Sequence, residues 1–522
     1  MKMVKSAFLA SAAGLVAMSG AQAADLPVKA KPVEYVKVCS LYGAGFYYIP
    51  GTDICMKIGG YVRYQLNNGT ASITAGPFAG GNTINNRLGT QDGIAQRVRA
   101  IATFDTRQQT AYGTLRTYLL MGFTQDSNAN AGLVSGAGSN TPVYMTRAFI
   151  QIAGFTFGKA TSFFDFVSSA AVAYNAGYTY SPDTGDPGQL VGSYTAQFGN
   201  GLSATVGIEQ SRRNNTINWN GTTAGATLFG ALGGADNLSP AIAQASNMPD
   251  IVGNIRIDQA WGSAQISAAA HQVGAGYYGI APGGGVGGTG LFEGNGHPDD
   301  KWGWAVSGGL RLNAPMFGPG DYFQGAVVYS EGATRYASFT PTGGGALAYW
   351  SGASVGFGHS DDAYVAGNAP GTAVFGTGAN ATSNNDIQLT TAWSVFASFE
   401  HFWTPALRTS LYGSYVDFSY NGTAKSQFCA FATASVGQGA GGPGCNPNWS
   451  AWNIGSRSQW NITKDLYVGV DVMYSKLNTA TLGVNTLALG NGVVTGKGAG
   501  IYTISDQDVV STTWRIHRDI VP

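Results

Sequence analysis

The sequence predicts an all-β fold, a closed antiparallel transmembrane barrel of sixteen strands. Three observations carry the prediction. The composition is rich in glycine and aromatics and poor in charge: 77 Gly, 25 Phe, 26 Tyr and 11 Trp, with only 11% charged residues, in a chain of 522. An ordinary soluble domain carries about 25% charge. Hydrophobicity alternates with period two over sixteen segments. The connections between those segments alternate long and short, the mark of an even-stranded barrel with tight turns at one edge and long loops at the other.

The same figures exclude other classes. A hydrophobic share of 44% at zero net charge excludes disorder. So much glycine weakens helices, which argues against a helical enzyme. Lys+Arg and Asp+Glu both number 28, so no strong positive charge favours nucleic acid. A membrane-spanning helix needs about 20 apolar residues, and the longest apolar candidate, at the N-terminus, is shorter.

In chain order, residues 1–23 read as a secretory signal peptide. Lys2 and Lys5 form the basic region, an apolar run extends from Ala7 to Met18, and Ala21-Gln22-Ala23 offers a small-x-small cleavage site. Cleavage there leaves two more acidic than basic residues. Residues 24–53 form an N-terminal segment on the periplasmic side, and the barrel runs from 54 to 522. Cys39 and Cys55 lie 16 apart, as do Cys429 and Cys445. Four cysteines allow three connectivities, and the two local pairings are preferred because both lie near loops. No closely spaced Cys/His set suggests a metal site.

The strands follow at 54–66, 97–108, 112–123, 144–154, 155–164, 190–199, 202–211, 250–259, 263–272, 301–312, 321–332, 388–403, 407–420, 449–462, 466–477 and 509–520. Segments of this length, tilted, span a bilayer, and closure leaves no unpaired edge in lipid. In 97–107 one face shows Val98, Ala100, Ala102 and Phe104, and the other Arg97, Arg99, Thr103, Asp105 and Arg107. Charges concentrated on one strand face suit a water-filled lumen rather than a packed soluble core. Phe402, Trp403, Trp449, Trp452, Trp460 and Trp514 lie near strand ends and suit interfacial aromatic girdles.

Four blocks carry a resemblance to a known family. CSLYGAGFYYIPGTDICMKIGGYVRYQ (39–65), RVRAIATFDTRQQTAYGTLRTYL (97–119), RAFIQIAGFTFGKATSFFDF (147–166) and WSAWNIGSRSQWNITKDLYVGVDVMY (449–474) resemble the alphaproteobacterial general porins. The resemblance implies a homotrimer in the outer membrane of a Gram-negative bacterium, passive diffusion of small hydrophilic solutes and ions, and a third loop that folds inward to narrow the pore. No enzymatic activity, cofactor or nucleic-acid partner is expected. One feature departs from the pattern: the sequence ends Asp519-Ile520-Val521-Pro522, without the aromatic residue that often assists barrel assembly.

The third loop, 165–189, contains Asp165, Asp183 and Asp186 and no Lys or Arg. Strand parity places Arg63, Arg97, Arg99, Arg116 and Arg147 on the lumen side, with Arg63, Arg116 and Arg147 near mid-strand and Arg97 and Arg99 nearer the outer mouth. Two readings stand side by side. Loop acids facing wall arginines would set a transverse field, which orders water and disfavours apolar solutes. The same charges would also serve as ion pairs that hold the loop. Ion preference depends on the local field at the constriction rather than on net charge.

Other motifs do not carry chemistry. GVGGTG (285–290) fits a dinucleotide pattern but lies in a Gly-rich loop with no strand-to-helix context. The five His form no HExxH pair. Asp299-Asp300 and Asp361-Asp362 read as loop acids, since no EF-hand spacing surrounds them. The long loop 333–387 is rich in Gly, Ala and Ser and receives no role. The rival readings are a surface adhesin or structural barrel acting through its loops, which predicts no conductance, and a barrel enzyme.

Overall fold

The protein is described by a computed structural model covering residues 37–69, 78, 82–83, 94–127, 143–185, 187–218, 247–275, 297–339, 346–366, 386–435, 444–481, 486–489 and 500–520. The signal peptide, GVGGTG and Asp186 lie outside these residues. The chain divides into two compact units, Met1–Met56 and Lys57–Pro522. In the first, a disulfide joins Cys39 to Cys55, and Tyr47–Tyr48 pairs antiparallel with Cys55 and Met56. Tyr42 and Phe46 pack ring to ring beside the bridge.

The second unit is the barrel. Its strands are β1 (Cys55–Asn68, whose first two residues belong to the first unit), β2 (Ile94–Thr110), β3 (Gly113–Asp126), β4 (Val143–Ile152), β5 (Phe155–Ala160), β6 (Gln189–Gly199), β7 (Leu202–Glu209) and β8 (Asp250–Gln259). They continue as β9 (Gly262–Val273), β10 (Lys301–Asn313), β11 (Tyr322–Glu331), β12 (Thr391–Phe402), β13 (Leu407–Ser419), β14 (Trp449–Asn461), β15 (Leu466–Asn478) and β16 (Gln507–Asp519). Each pairs antiparallel with the next, and β16 closes on β1 with Arg63 opposite His517. All sixteen predicted strands are present. The largest differences are β5, which stops at Ala160, and the segment 388–403, where Asp386–Leu389 pairs instead with Ala363–Ala366.

The short edge is built from turn chemistry. Ala153-Gly154 and Asn200-Gly201 both hold two consecutive residues at positive φ, 50° and 86°, then 50° and 74°. Two such residues make the turn whose twist matches flanking strands, and glycine takes the second position without Cβ strain. Along each strand one set of positions is apolar and exposed, for example Trp302, Trp304, Val306, Leu310 and Leu312 on β10. Their alternates, such as Ala305 and Ser307, are buried. The exposed apolar set is the lipid-facing band of a barrel.

Parity also reassigns two girdle residues. Trp449 is buried, stacks on Phe418 with centroids 4.5 Å apart, and donates its indole N–H to the His359 carbonyl at 2.6 Å. Phe402 likewise packs inward. Trp403, Trp460 and Trp514 are exposed, as a girdle requires.

The large buried apolar clusters of the second unit therefore lie inside the barrel, made by loops against wall. The sixth loop (residues 332–390), which had no assigned role, supplies the hairpin Ala346–Ser351/Ser354–His359. Its Trp350 and Phe357 join Phe418, Trp449 and Leu477 of the wall in one cluster. Cys429 and Cys445 bridge within the seventh loop and pack against the same cluster.

Candidate pore constriction

The third loop (residues 161–188) leaves β5, crosses the lumen and lies on the opposite wall. Its apolar residues Val167, Val172, Ala173 and Tyr178 pack on Tyr322, Ala326, Phe396, Tyr412 and Met473. Two wall glycines make room for its rings. A Cβ at Gly309 would fall 2.3 Å from Phe166, and one at Gly469 would fall 2.2 Å from the Tyr174 hydroxyl.

Polar anchors run along the same wall. Asp471 Oδ2 accepts the backbone N–H of Tyr174 at 2.6 Å and of Asn175 at 3.0 Å, and its Oδ1 accepts the Tyr412 hydroxyl at 2.6 Å. Arg457 donates to the Ala171 carbonyl at 2.8 Å and pairs with Glu400. Asn453 holds the Tyr178 carbonyl at 2.9 Å, and Thr513 donates to Asn175 at 2.6 Å. A loop backbone buried against a wall needs a partner for each polar group, and β8–β16 provide many of these partners.

The two described loop acids, Asp165 and Asp183, have other partners than the wall arginines named from sequence. Asp165 pairs with Arg212 at 2.7 Å, with side chains 2% and 0% exposed. It also accepts the Thr184 N–H at 2.8 Å and hydroxyl at 2.6 Å. Asp183 accepts the N–H and hydroxyl of Ser169 at 2.9 and 3.0 Å and the Gly185 N–H at 2.8 Å. Burial, reinforced by the nearby charge of Asp165, pushes the Asp183 carboxyl up to about 6. Both acids thus fold the loop onto itself, and Asp165 also ties it to Arg212 of the fourth loop, which the sequence reading did not single out.

Arg212 belongs to a buried cluster joining three loops. Its guanidinium lies 4.6 Å from the Tyr336 ring, and its Nη1 donates to the Pro182 carbonyl at 2.9 Å. Asp250 accepts the Arg212 N–H at 2.9 Å, the Tyr336 hydroxyl at 2.7 Å and His271 at 2.7 Å. Asp362 accepts the Thr334 N–H and hydroxyl, both at 2.8 Å, and the Asn214 N–H. Asp361 and Asp362, expected as solvated acids, are therefore interior. Burial pushes Asp361 up to about 6.

The remaining arc, β1–β4, presents the sequence-predicted arginines. Parity puts Arg63, Arg97, Arg99, Arg107, Arg116 and Arg147 on its inner face, against the carboxylates Asp105 and Asp126. Arg97 forms a two-pronged bond to Asp126 at 2.6 and 2.5 Å. Arg99 donates to Thr124 at 3.1 Å and lies over the Tyr144 ring. Asp105 serves two cations, Arg107 and Arg116, each at 2.9 Å. Arg63 lies 5.4 Å from the Tyr61 ring, and its buried Nε has no hydrogen-bond partner.

Arg147 owes its aim to an irregularity. The β3–β4 register jumps between Leu120 and Met121, leaving Thr146 as an extra residue. Such a bulge redirects the side chains beside it. Arg147 reaches Thr161 at 3.1 Å and the Gly185 carbonyl at 2.8 Å, and so meets both ends of the third loop.

Sequence reasoning also passed over Arg457, Arg515, Glu400 and Asp471. Parity would have placed Arg457 with Asn453 and Gln459 on the inner face of β14, by the argument applied to β2.

A closed sixteen-stranded barrel with an apolar outer band, a polar lumen and an inward third loop defines an outer-membrane barrel of channel architecture. A family model described as the porin subfamily matches residues 25–512, and the chain belongs to that family, whose members reside in the outer membrane. It is 35% identical to porin Omp2b of Brucella melitensis over 265 residues, which is 50% of this chain and 64% of the relative. The Brucella canis porin Omp2b is 34% identical over the same shares. The matched stretch is thus under two thirds of those relatives' length. Among solved structures, the outer-membrane channel DcaP of Acinetobacter baumannii superposes with a TM-score of 0.52 at 11% identity, covering 91% of this chain and 99% of DcaP, a likeness of fold.

Proposed function

We propose that this chain is a general diffusion porin, a homotrimer that passes small hydrophilic solutes and ions passively and carries out no catalysis. One observation supports the reading above all. The third loop is fastened mainly to β8–β16, with Arg147 of β4 holding its ends, which leaves most of the arginine-bearing arc of β1–β4 as the wall of the passage. The transverse-field version of the constriction loses support, because Asp165 and Asp183 spend their charge inside the loop. Six guanidinium groups against two carboxylates on the passage wall favour anions.

The test is single-channel recording of the folded protein in a planar bilayer with a salt gradient. The expected result is stepwise conductance in groups of three, with a reversal potential of anion-selective sign. A barrel that inserts but passes no current contradicts the channel reading. Cation-selective sign overturns the assignment of the passage.

A further inference from the structure

The arginine arc contains more than charge. Arg116, Tyr118 and Leu120 of β3 and Thr146, Arg147 and Phe149 of β4 line an open crevice of about 350 Å³ on the lumen side. Tyr118 and Phe149 stack across the two strands, with centroids 5.4 Å apart and planes 20° apart. The Arg116 guanidinium lies 5.3 Å from each ring centroid. Asp105 is shared between Arg107 and Arg116, and Arg147 lines the same crevice while donating to Thr161 and to the Gly185 carbonyl. Arg116 keeps 30% of its side chain exposed, and the bulge at Thr146 turns Arg147 toward the same space.

We propose that this crevice is a binding subsite for small aromatic carboxylates, a solute class that the diffusion reading alone does not single out. The proposal rests on the porin reading of the lumen. Leu120 and the Tyr118–Phe149 pair offer an apolar surface for a planar ring, and aromatic pairs prefer such stacked or edge contacts. Arg116 and Arg147 offer planar donors that match a carboxylate in geometry and charge. Thr146 adds a hydroxyl. A site of mostly apolar lining with a few convergent polar groups is what small ligands use. Chloride and acetate satisfy only the charged half of this surface, and a neutral arene only the apolar half.

The experiment is current block in planar bilayers, using the full folded protein and benzoate, acetate, benzyl alcohol and benzylammonium as probes. Benzoate is expected to reduce the chloride current saturably. Its half-blocking concentration should be about tenfold below that of acetate, the factor expected from one aromatic contact. Benzyl alcohol and benzylammonium should not match it. Phe149→Leu and, independently, Tyr118→Leu should erase the benzoate–acetate ratio, and Arg116→Gln should raise both half-blocking concentrations. Equal block by benzoate and acetate in the wild-type channel overturns the proposal while leaving the porin reading standing. A ratio unchanged in both ring variants also overturns it. A folded barrel with no current overturns the porin reading and the subsite with it.

Discussion

The two arcs of the lumen use the same residue types to opposite ends. On β14, Arg457 lies over the Tyr174 ring beneath the third loop, is 2% exposed and pairs with Glu400. Arg212, in the fourth loop, is fully buried on Asp165. On β2–β3, Arg107 and Arg116 share one carboxylate and stay 28% and 30% exposed. The difference lies in where the loop docks. An arginine under the loop is a fastener, because its charge is matched and desolvated. Arg107 and Arg116, on the open arc, keep part of their field in water. Counting charges on strand faces therefore does not give the field of the pore until the loop's landing site is known.

Perturbing the fasteners should produce the largest effects. Arg212→Met leaves the Asp165 carboxylate buried without its cation. It is expected to cost about 3–5 kcal/mol, the usual penalty for breaking a buried pair, read as a lower thermal midpoint of the detergent-folded barrel. A midpoint unchanged from wild type would mean that the pair does not hold the third and fourth loops together. Asp471→Ala removes the acceptor for two loop N–H groups and the Tyr412 hydroxyl. It should cost about 1–3 kcal/mol and raise open-channel noise as the loop loosens from β15.

The pH response should be smaller and has a definite sign. Asp183 and Asp361 both titrate in the folded state near 6, above the unfolded value of 3.8. The folded protein then holds these protons where the unfolded chain has released them. Their contribution is full below about 4 and is lost as pH rises through about 6. Wild type should therefore gain stability, relative to the Asp183→Asn variant, when the pH is lowered from 7 to 5. A gain of equal size in the variant would show that Asp183 is not the group responsible. The smallest effect belongs to the exposed pair Arg256–Asp258, 38% and 52% exposed. Arg256→Gln should change stability by less than about 1 kcal/mol, and a larger loss would make that pair a fastener too.

The barrel was legible because each strand repeats a two-residue period and several short turns carry Gly, Asn or Pro signals. Parity likewise assigned Arg63, Arg97, Arg99, Arg116 and Arg147 to the lumen side. The loop's docking was not legible. Asp471 and Tyr174 are 297 residues apart and Thr513 and Asn175 are 338 apart, and no local pattern links positions so distant. The Asp165–Arg212 pair joins two loops with no periodicity. Trp449 resembles a girdle residue in sequence, and only the packing of the sixth loop explains why it faces inward. The bulge at Thr146, a single extra residue, leaves no trace in the alternation of β4.

The central claim is that current follows the arginine arc and not the sealed wall. Reversal potentials in a KCl gradient test it most directly, comparing wild type with the triple variant Arg63→Gln, Arg116→Gln, Arg147→Gln. Anion preference in the wild type that falls toward zero or reverses in the triple variant is the predicted result. A reversal potential that does not move would contradict the account and place the passage elsewhere in the lumen.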